Sequence, residues 1–482
     1  MRYWMSLLLI MLSVGASAQQ RVSFEDALTM TLERNRSISS AKYGIDATYS
    51  EYRATQGLRM PKADLIGCYT LLQRNVDIDL TGTKGIVSES LEGLIKGGVT
   101  EGIITPPIAS LLNNGLAPLM GADWRYTLQN RHFGLVGATV TMPIYLGGRI
   151  NIANRVAKLD IESAEIGLNG ITAALITELV ERYYGVILAR EVMAVKRFVV
   201  QGVEQHLSDA EAMEEQGVVA HSTVLYLQYK LSDAEQEYSD AVSRLQIAER
   251  GLQSTMQSVG GVIPLDNMFV TNEVYDIDYY RDNALNLNTN IGMVENAQRH
   301  SAEGVNLARS AFMPEVVAMG GASIYSYNLT DIVPRWAVGV GVTIPLFGGL
   351  SRQEQYRASR SVERSVSDMA EKVREDILLL VDKEYYALQN ALLNVDSSKR
   401  SILFAKSYYT TATEGFREGV ISSSELMDAH IALAASEVEY LDAVYSFVVS
   451  LARLLEVSGL SDNFIGYMSR GVKVDINTII DL

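Results

Sequence analysis

The chain has 482 residues, a formal net charge of −16 and a single cysteine, Cys68. The acidic balance argues against nucleic acid as a partner, and one thiol excludes an intrachain disulfide. Beyond the N-terminal segment no run of about twenty apolar residues occurs, which excludes a transmembrane helix and leaves a soluble exported protein or a β-barrel, whose alternating strands signal far more weakly.

Residues 1–18 read as a secretory signal, with Arg2 at its start, an apolar stretch from Leu7 to Val14, and the Ala16-Ser17-Ala18 cleavage pattern. The stretch is short for a membrane anchor, and the mature chain would begin at Gln19. Residues 22–58 follow as a helical pattern. Ser23 can cap it with Asp26 three positions on, and Phe24, Ala27, Leu28 and Leu32 share one face. The pattern stops at Met60-Pro61, and residues 63–74 read as a strand. A proline ends a helix and favours an extended segment because it lacks an N–H and restricts its predecessor.

The same order opens the second half, with a helix near 279–311, a stop at Met313-Pro314 and a strand over Val316–Tyr327. A return strand then leads into a glycine pair in each half: Val136 to Met142, Pro143, Gly147-Gly148, and Val338 to Ile344, Pro345, Gly348-Gly349. Pro143 and Pro345 stand 202 positions apart, as do Tyr183-Tyr184 and Tyr385-Tyr386, and Gly217 and Gly419. Matches in one register over about a hundred residues predict a duplicated structural unit. Residues 19–270 form the first repeat and 271–460 the second, followed by a tail at 461–482.

The connection between the two strands differs between the halves. In the second half it is a short turn near Asn328–Pro334, whereas in the first it runs over 75–131, an insertion holding Thr105-Pro106-Pro107 and apolar pieces such as Ile108–Leu112. A connection of that length is usually functional or mobile. On the second return strand, Val338, Val340, Val342 and Ile344 point one way, while Ala337, Gly339, Gly341 and Thr343 point the other. One apolar face and one small, uncharged face suit a tightly curved barrel, with a sandwich as the alternative. Tyr325, Tyr327 and Trp336 gather at the hairpin end, where an aromatic girdle would lie.

From about Ile150 to Gly217, and from about Gln353 to Gly419, no proline interrupts a helical pattern. Each stretch would run roughly 100 Å at 1.5 Å per residue. Seams in steps of four and three are carried by Val381, Tyr385, Leu388, Leu392 and Val395, and by Leu179, Tyr183, Val186 and Met193, the latter interrupted at Arg190. Gly217 and Gly419 turn the chain back into a second helix of about thirty residues. Helices this long cannot bury themselves in one globule and must pack laterally. Two hairpins supply four strands, too few to close a membrane barrel, and open edges do not persist in lipid, so several copies must share one sheet around an axis.

These residues resemble the TolC family of outer-membrane efflux proteins. The resemblance rests on Val22-Ser23-Phe24-Glu25-Asp26-Ala27-Leu28, both proline stops, the paired junctions, and the tips Glu215-Gln216-Gly217-Val218-Val219 and Arg417-Glu418-Gly419-Val420-Ile421. It spans essentially the whole mature chain and departs locally at Asn35-Arg36, where the family often has Asn-Pro. It implies a mixed α/β membrane protein, a homotrimer with a twelve-stranded barrel, four strands per subunit, continuous with a long periplasmic α-helical barrel. The implied function is the outer-membrane channel of a tripartite efflux or secretion system. Its partners would be outer-membrane lipid, a periplasmic membrane-fusion adaptor and an inner-membrane pump of RND or ABC type. The resemblance makes Gly217, Val218, Val219, Gly419, Val420 and Ile421 adaptor-docking tips, beside their reading as plain helix-hairpin turns. It also makes Glu425 and Asp428 the periplasmic gate. Those two share a helix face and would otherwise be solvated carboxylates; their first-copy counterparts are Thr223 and Tyr226.

An enzyme is the least supported class. His132, His206, His221, His300 and His430 lack metal-ligand spacing, Ser422-Ser423-Ser424 reads as a helix cap, and neither glycine pair precedes the Lys-Ser/Thr of a phosphate loop. The expectation is no catalytic residue, no metal and no cofactor. Pro143, Gly147, Gly148, Pro345, Gly348 and Gly349 are expected to make strand-to-helix bends. The rival reading is a periplasmic coiled-coil scaffold without channel activity.

Overall fold

The computed structural model describes residues 20–258 and 260–474. The signal assigned to 1–18 and residues 475–482 of the tail lie outside them. The chain divides into two units, one of Ala54–Asn154 with Asn306–Gln355, the other of the remaining residues.

The first unit holds four long strands, β2 (Lys62–Leu71), β5 (His132–Leu146), β8 (Glu315–Tyr327) and β9 (Trp336–Thr343), the last with valines alternating with small residues. They form one antiparallel sheet in the order β2-β5-β8-β9. The pairing of β5 with β8 joins a strand of the first half to one of the second, from Gly134 opposite Tyr327 to Leu146 opposite Glu315. Pro143 lies beyond the last β2 pair, Lys62 with Thr141, where only β8 adjoins the strand. Among the described residues the sheet has two unpaired edges, β2 and β9.

The 75–131 insertion is not a bare loop. It carries a two-stranded ladder of β3 (Val76–Asp79) and β4 (Arg125–Gln129), and two helices, α3 (Thr81–Thr100) and α4 (Pro106–Gly121). Pro106 and Pro107 open α4, where the first N–H groups need no partner. The Gln129 amide ties the insertion to the β8–β9 turn, donating to the Asn328 carbonyl at 2.7 Å and accepting from the Thr330 N–H at 2.9 Å.

The second unit is mainly helical, with two short ladders: β1 (Gln20–Val22) parallel to β6 (Val262–Pro264), and β7 (Phe269–Val270) antiparallel to β10 (Val472–Lys473). The expected helix over 22–58 is two, α1 (Phe24–Arg34) and α2 (Arg36–Gly57), and that near 279–311 is likewise α7 (Ile277–Leu287) and α8 (Thr289–Ser310). The breaks fall at Asn35 and Asn288. The Asn35 amide donates to the Thr255 carbonyl at 3.1 Å and that of Asn288 to the Val457 carbonyl at 2.7 Å, while each Oδ1 accepts from the backbone two residues on. Each asparagine thus satisfies an N–H at the start of the next helix and a carbonyl near the end of a distant one, which makes the interruption stable. Two 67-residue helices follow the junctions, α5 (Arg149–Glu215) and α9 (Ser351–Arg417), and return as α6 (His221–Met256) and α10 (Ser423–Val457).

On α9 the buried positions step by four and three from Ile377 to Ala405, as a heptad seam requires. They include Glu384 and Ser398, which polarity hid in the sequence; Tyr385 and Leu392, expected there, are only half-buried. Ser398 returns its hydroxyl to the Asn394 carbonyl at 2.6 Å, so a polar residue fits the seam. Arg190, which interrupts the other seam, reaches the Pro264 carbonyl at 3.4 Å. The duplicated tyrosines differ in setting: Tyr183 and Tyr184 are fully buried, while Tyr386 is exposed. Phe24, Tyr183, Tyr184, Phe269 and Phe464 interlock, with ring centroids 5.1 to 6.3 Å apart. The Tyr183 hydroxyl donates to the Val22 carbonyl at 2.9 Å and accepts from the Leu265 N–H at 3.2 Å. Burial pushes both tyrosine hydroxyls far above their ordinary pKa.

Candidate functional site

Each hairpin tip is closed by a glycine in the left-handed region, Gly217 at φ 76° and Gly419 at φ 71°. The following N–H groups bond backward, Val218 to the Met213 carbonyl and Val420 to that of Gly415, both at 2.9 Å. This closure satisfies the last carbonyls of the arriving helix and favours glycine. The apolar pairs are not exposed as pairs. Val218 and Val420 are 66% and 79% exposed, whereas Val219 and Ile421 are half-buried. Ile421 packs with Met213 and Tyr409 around Ala412, Phe416, Leu426 and Ala429. The chain direction explains the split: the first residue follows the glycine outward, and the second already heads into the returning helix.

Glu425 stands in the first turn of α10, capped by Ser422, whose hydroxyl accepts from the Glu425 N–H at 3.3 Å. Glu425 and Asp428 are both exposed, while Leu426, Met427, Ala429 and His430 face inward. Among the described residues neither carboxylate forms an ion pair. Ile421 sits in the apolar cluster and offers no charge to latch them. On the first hairpin, the counterparts Thr223 and Tyr226 are half-buried, and Lys230 lies 5.9 Å from the Tyr226 ring. Of the acidic residues around the first tip, Glu214 contacts His221 at 2.8 Å and Asp209 accepts from Gln205 at 2.9 Å.

The junctions correct one expected pairing. Left-handed residues are Gly147 (φ 62°) and Gly148 (φ 87°) in the first copy, but Gly349 (φ 63°) and Leu350 (φ 65°) in the second. At the 202-residue offset Gly147 therefore corresponds to Gly349, and Gly148 to Leu350, not to Gly349. The visible Gly-Gly pairs are out of register by one. A Cβ at Gly147 would lie 2.6 Å from the Ser310 carbonyl oxygen, whereas one at Gly148 meets open space. Gly147 is thus required for a close approach, and the next position tolerates leucine. Arg149 pairs with Glu315 at 2.9 Å beside this bend. Pro143 lies within β5 and Pro345 just after β9.

Sequence reading also missed Asn35 and Asn288. The signal was present, since Asn35-x-Ser37-Ile38 recurs as Asn288-x-Asn290-Ile291 and both isoleucines are buried. Among the described residues no group of three or more His, Cys, Asp or Glu is placed to hold a metal ion, and no helix is long and apolar enough to cross a membrane.

A sequence model of the outer membrane efflux protein family matches residues 280–460. No curated protein sequence matches the chain. Several solved structures share its fold. The open state of the Neisseria gonorrhoeae MtrE outer membrane channel aligns at a TM-score of 0.68 and 14% identity, covering 91% of this chain and 89% of that one. The Campylobacter jejuni CmeC outer membrane channel aligns at 0.67 and 13%, covering 93% and 88%. The Vibrio cholerae outer membrane protein VceC aligns at 0.67 and 12%, covering 90% and 96%. The chain has a TolC-like fold across nearly its whole length.

Proposed function

Because residues 280–460 carry the match to the outer membrane efflux proteins, we propose that the chain is the outer-membrane channel of a tripartite efflux or secretion system. Three copies would close twelve strands in the outer membrane and extend their long helices into the periplasm as a passive conduit. The carrying observation is the four-stranded sheet with both edges unpaired and with Val338, Val340 and Val342 exposed along β9. In lipid those edges must pair, and their only suitable partners are the opposite edges of other copies. Four strands in alternating direction leave β9 of one copy antiparallel to β2 of the next, so copies join without a change of pattern.

The duplicated unit is part of this reading. Two 67-residue helices begin at Arg149 and Ser351, 202 residues apart, which supports it. The exposed Val218 and Val420 are the contact points for a periplasmic adaptor, and an RND or ABC pump supplies the energy. Glu425 and Asp428 line the closed aperture, where three copies bring like charges together and favour cations. The α3–α4 excursion belongs to the extracellular mouth, which it narrows.

Purification from the outer-membrane fraction, followed by cross-linking and planar-bilayer recording, tests the reading. The expected result is a detergent-dependent trimer that conducts ions. A monomer extractable without detergent and silent in bilayers would instead fit a periplasmic coiled-coil scaffold.

A further inference from the structure

Close to the second tip, two imidazoles meet inside the helix packing. His430 on α10 and His206 on α5 are both buried, with ring centroids 5.8 Å apart and planes at 85°. Tyr409 of α9 stacks on His430 at 4.8 Å, and Phe198 of α5 meets its edge at 5.5 Å. The His430 ring occupies the space a Cβ would need at Gly202, so α5 admits the ring only because that residue is glycine. Neither nitrogen of His430, nor Nε2 of His206, has a hydrogen-bond partner among the described residues. Buried polar groups are normally satisfied, and a fully buried ring with both nitrogens idle is costly to keep.

The charges around the pair come from two helices. Asp209 on α5 favours the charged form of His206, and Arg417 at the end of α9 opposes it. Among the described residues no carboxylate faces His430; its electrostatic neighbour is His206, and Tyr409 is the titratable group of α9 against its ring. A proton on His430 therefore puts a cation into apolar packing without a counter-ion, and one on His206 has only Asp209 to offset burial and Arg417. The strain is relieved when α10 separates from α5 and α9 and water enters. His430 lies two residues beyond Asp428, in the same opening turns of α10 that carry Glu425.

We propose that His206 and His430 form a protonation-sensitive wedge. Neutral, the pair packs the start of α10 onto α5 and α9; charged, it drives that segment outward and moves Glu425 and Asp428 with it. The consequence for conduction rests on the reading of those carboxylates as the aperture. Burial is the main cause that holds His430 down at about 4 and His206 below the ordinary imidazole value. Both rings are then neutral at pH 7. The unfolded chain binds these protons near pH 6.5, the folded chain only lower, so the packing weakens as pH falls from about 6.5 towards 4.

The test uses the full mature chain in detergent. Mass spectrometry of imidazole C–H exchange reads each histidine's titration, and amide exchange over residues 421–435 reads the packing. The expected result is that His206 and His430 titrate below the free-imidazole range and that amide protection drops about tenfold or more between pH 6.5 and 4. His430→Phe keeps the ring and removes the charge, and is expected to abolish that drop. Titration of both rings at the ordinary value, read on the unaltered protein, overturns the wedge whether or not the variant folds. An undiminished drop in His430→Phe overturns it as well. Loss of protection with no bilayer current at any pH upholds the wedge and refutes the channel instead.

Discussion

Replacing Val340 with arginine tests whether the valine face of β9 lies in lipid. Val340 sits mid-strand, opposite Ala318 of β8, and is 63% exposed. It lies four positions from Trp336 and three from Thr343, about 13 Å and 10 Å at a rise of roughly 3.3 Å per residue. A guanidinium there must snorkel most of that distance or thin the bilayer. Arginine at the middle of a lipid-facing barrel strand costs about 2–4 kcal/mol. Three copies in one barrel bring the penalty to roughly 6–12 kcal/mol, at least about a ten-thousandfold shift against the folded trimer. The control is Gly339→Asp on the opposite face, where an added Cβ meets no atom within 4 Å. Urea titration of the trimer refolded into lipid vesicles, followed by tryptophan fluorescence, reads both variants. Val340→Arg is expected to collapse stability, and Gly339→Asp to change conductance while nearly preserving it. The reverse order, or equal tolerance of both, would refute the assignment of faces and the membrane placement of the sheet.

Thermal unfolding in detergent checks the junction: Gly147→Ala is expected to cost well over 2 kcal/mol, since it adds a clash with Ser310 to a left-handed backbone, while Gly148→Ala costs about 1 kcal/mol. Burial raises the Glu437 carboxyl to about 6. The folded state thus holds its proton more tightly than the unfolded chain, and the stabilisation present below about pH 4.5 is lost as pH rises through 6. Glu437→Gln is therefore expected to gain about 2 kcal/mol at pH 7 and nothing at pH 4, read from melting curves across that range. Joint replacement Glu425→Gln and Asp428→Asn, read as the reversal potential in a salt gradient, is expected to lower cation preference several-fold. Unfolding should shift by less than about 0.5 kcal/mol, because both groups are exposed.

Local chemistry was legible where one residue decides the outcome. Alternation with β-branched residues located β9, the proline stops located β2 and β8, each to within a few positions, and glycine marked the junctions and tips. Partner choice was not legible, because alternation says which residues face together and not which strand is adjacent; the β5–β8 pairing across the halves is of this kind. Polar residues inside a packed stripe also escaped. Glu384 and Ser398 obey the heptad spacing, but their side chains argue against burial until their position against other helices is known. Leu350 escaped for the opposite reason: a left-handed leucine is uncommon, and the adjacent Gly-Gly pair drew the register one residue off. Of the candidate site, the carboxylates and glycines were readable, whereas the split fates of Val420 and Ile421 depend on where the chain heads after the turn.

Stability along the long helices is graded in a way that suits the aperture proposed at the tips. The aromatic cluster of Phe24, Tyr183, Tyr184, Phe269 and Phe464 belongs to one large buried core. The second tip holds a separate cluster whose fully buried members are Ala412, Phe416, Leu426 and Ala429. Only Phe416 and Leu426 are large, so burial there contributes roughly 3–6 kcal/mol. A partner that binds the opened tip about 10⁴-fold more tightly than the closed one supplies about 5.5 kcal/mol, comparable with what the tip cluster holds and far less than the main core. Under the proposed reading of Val420 as a contact point, such binding opens the tip while the core stays intact, as expected when moving elements come from the weakly held end of a structure. The same weakness explains why a buried charge at His430, just inside that end, would be relieved by displacing the start of α10 and not by unfolding the chain.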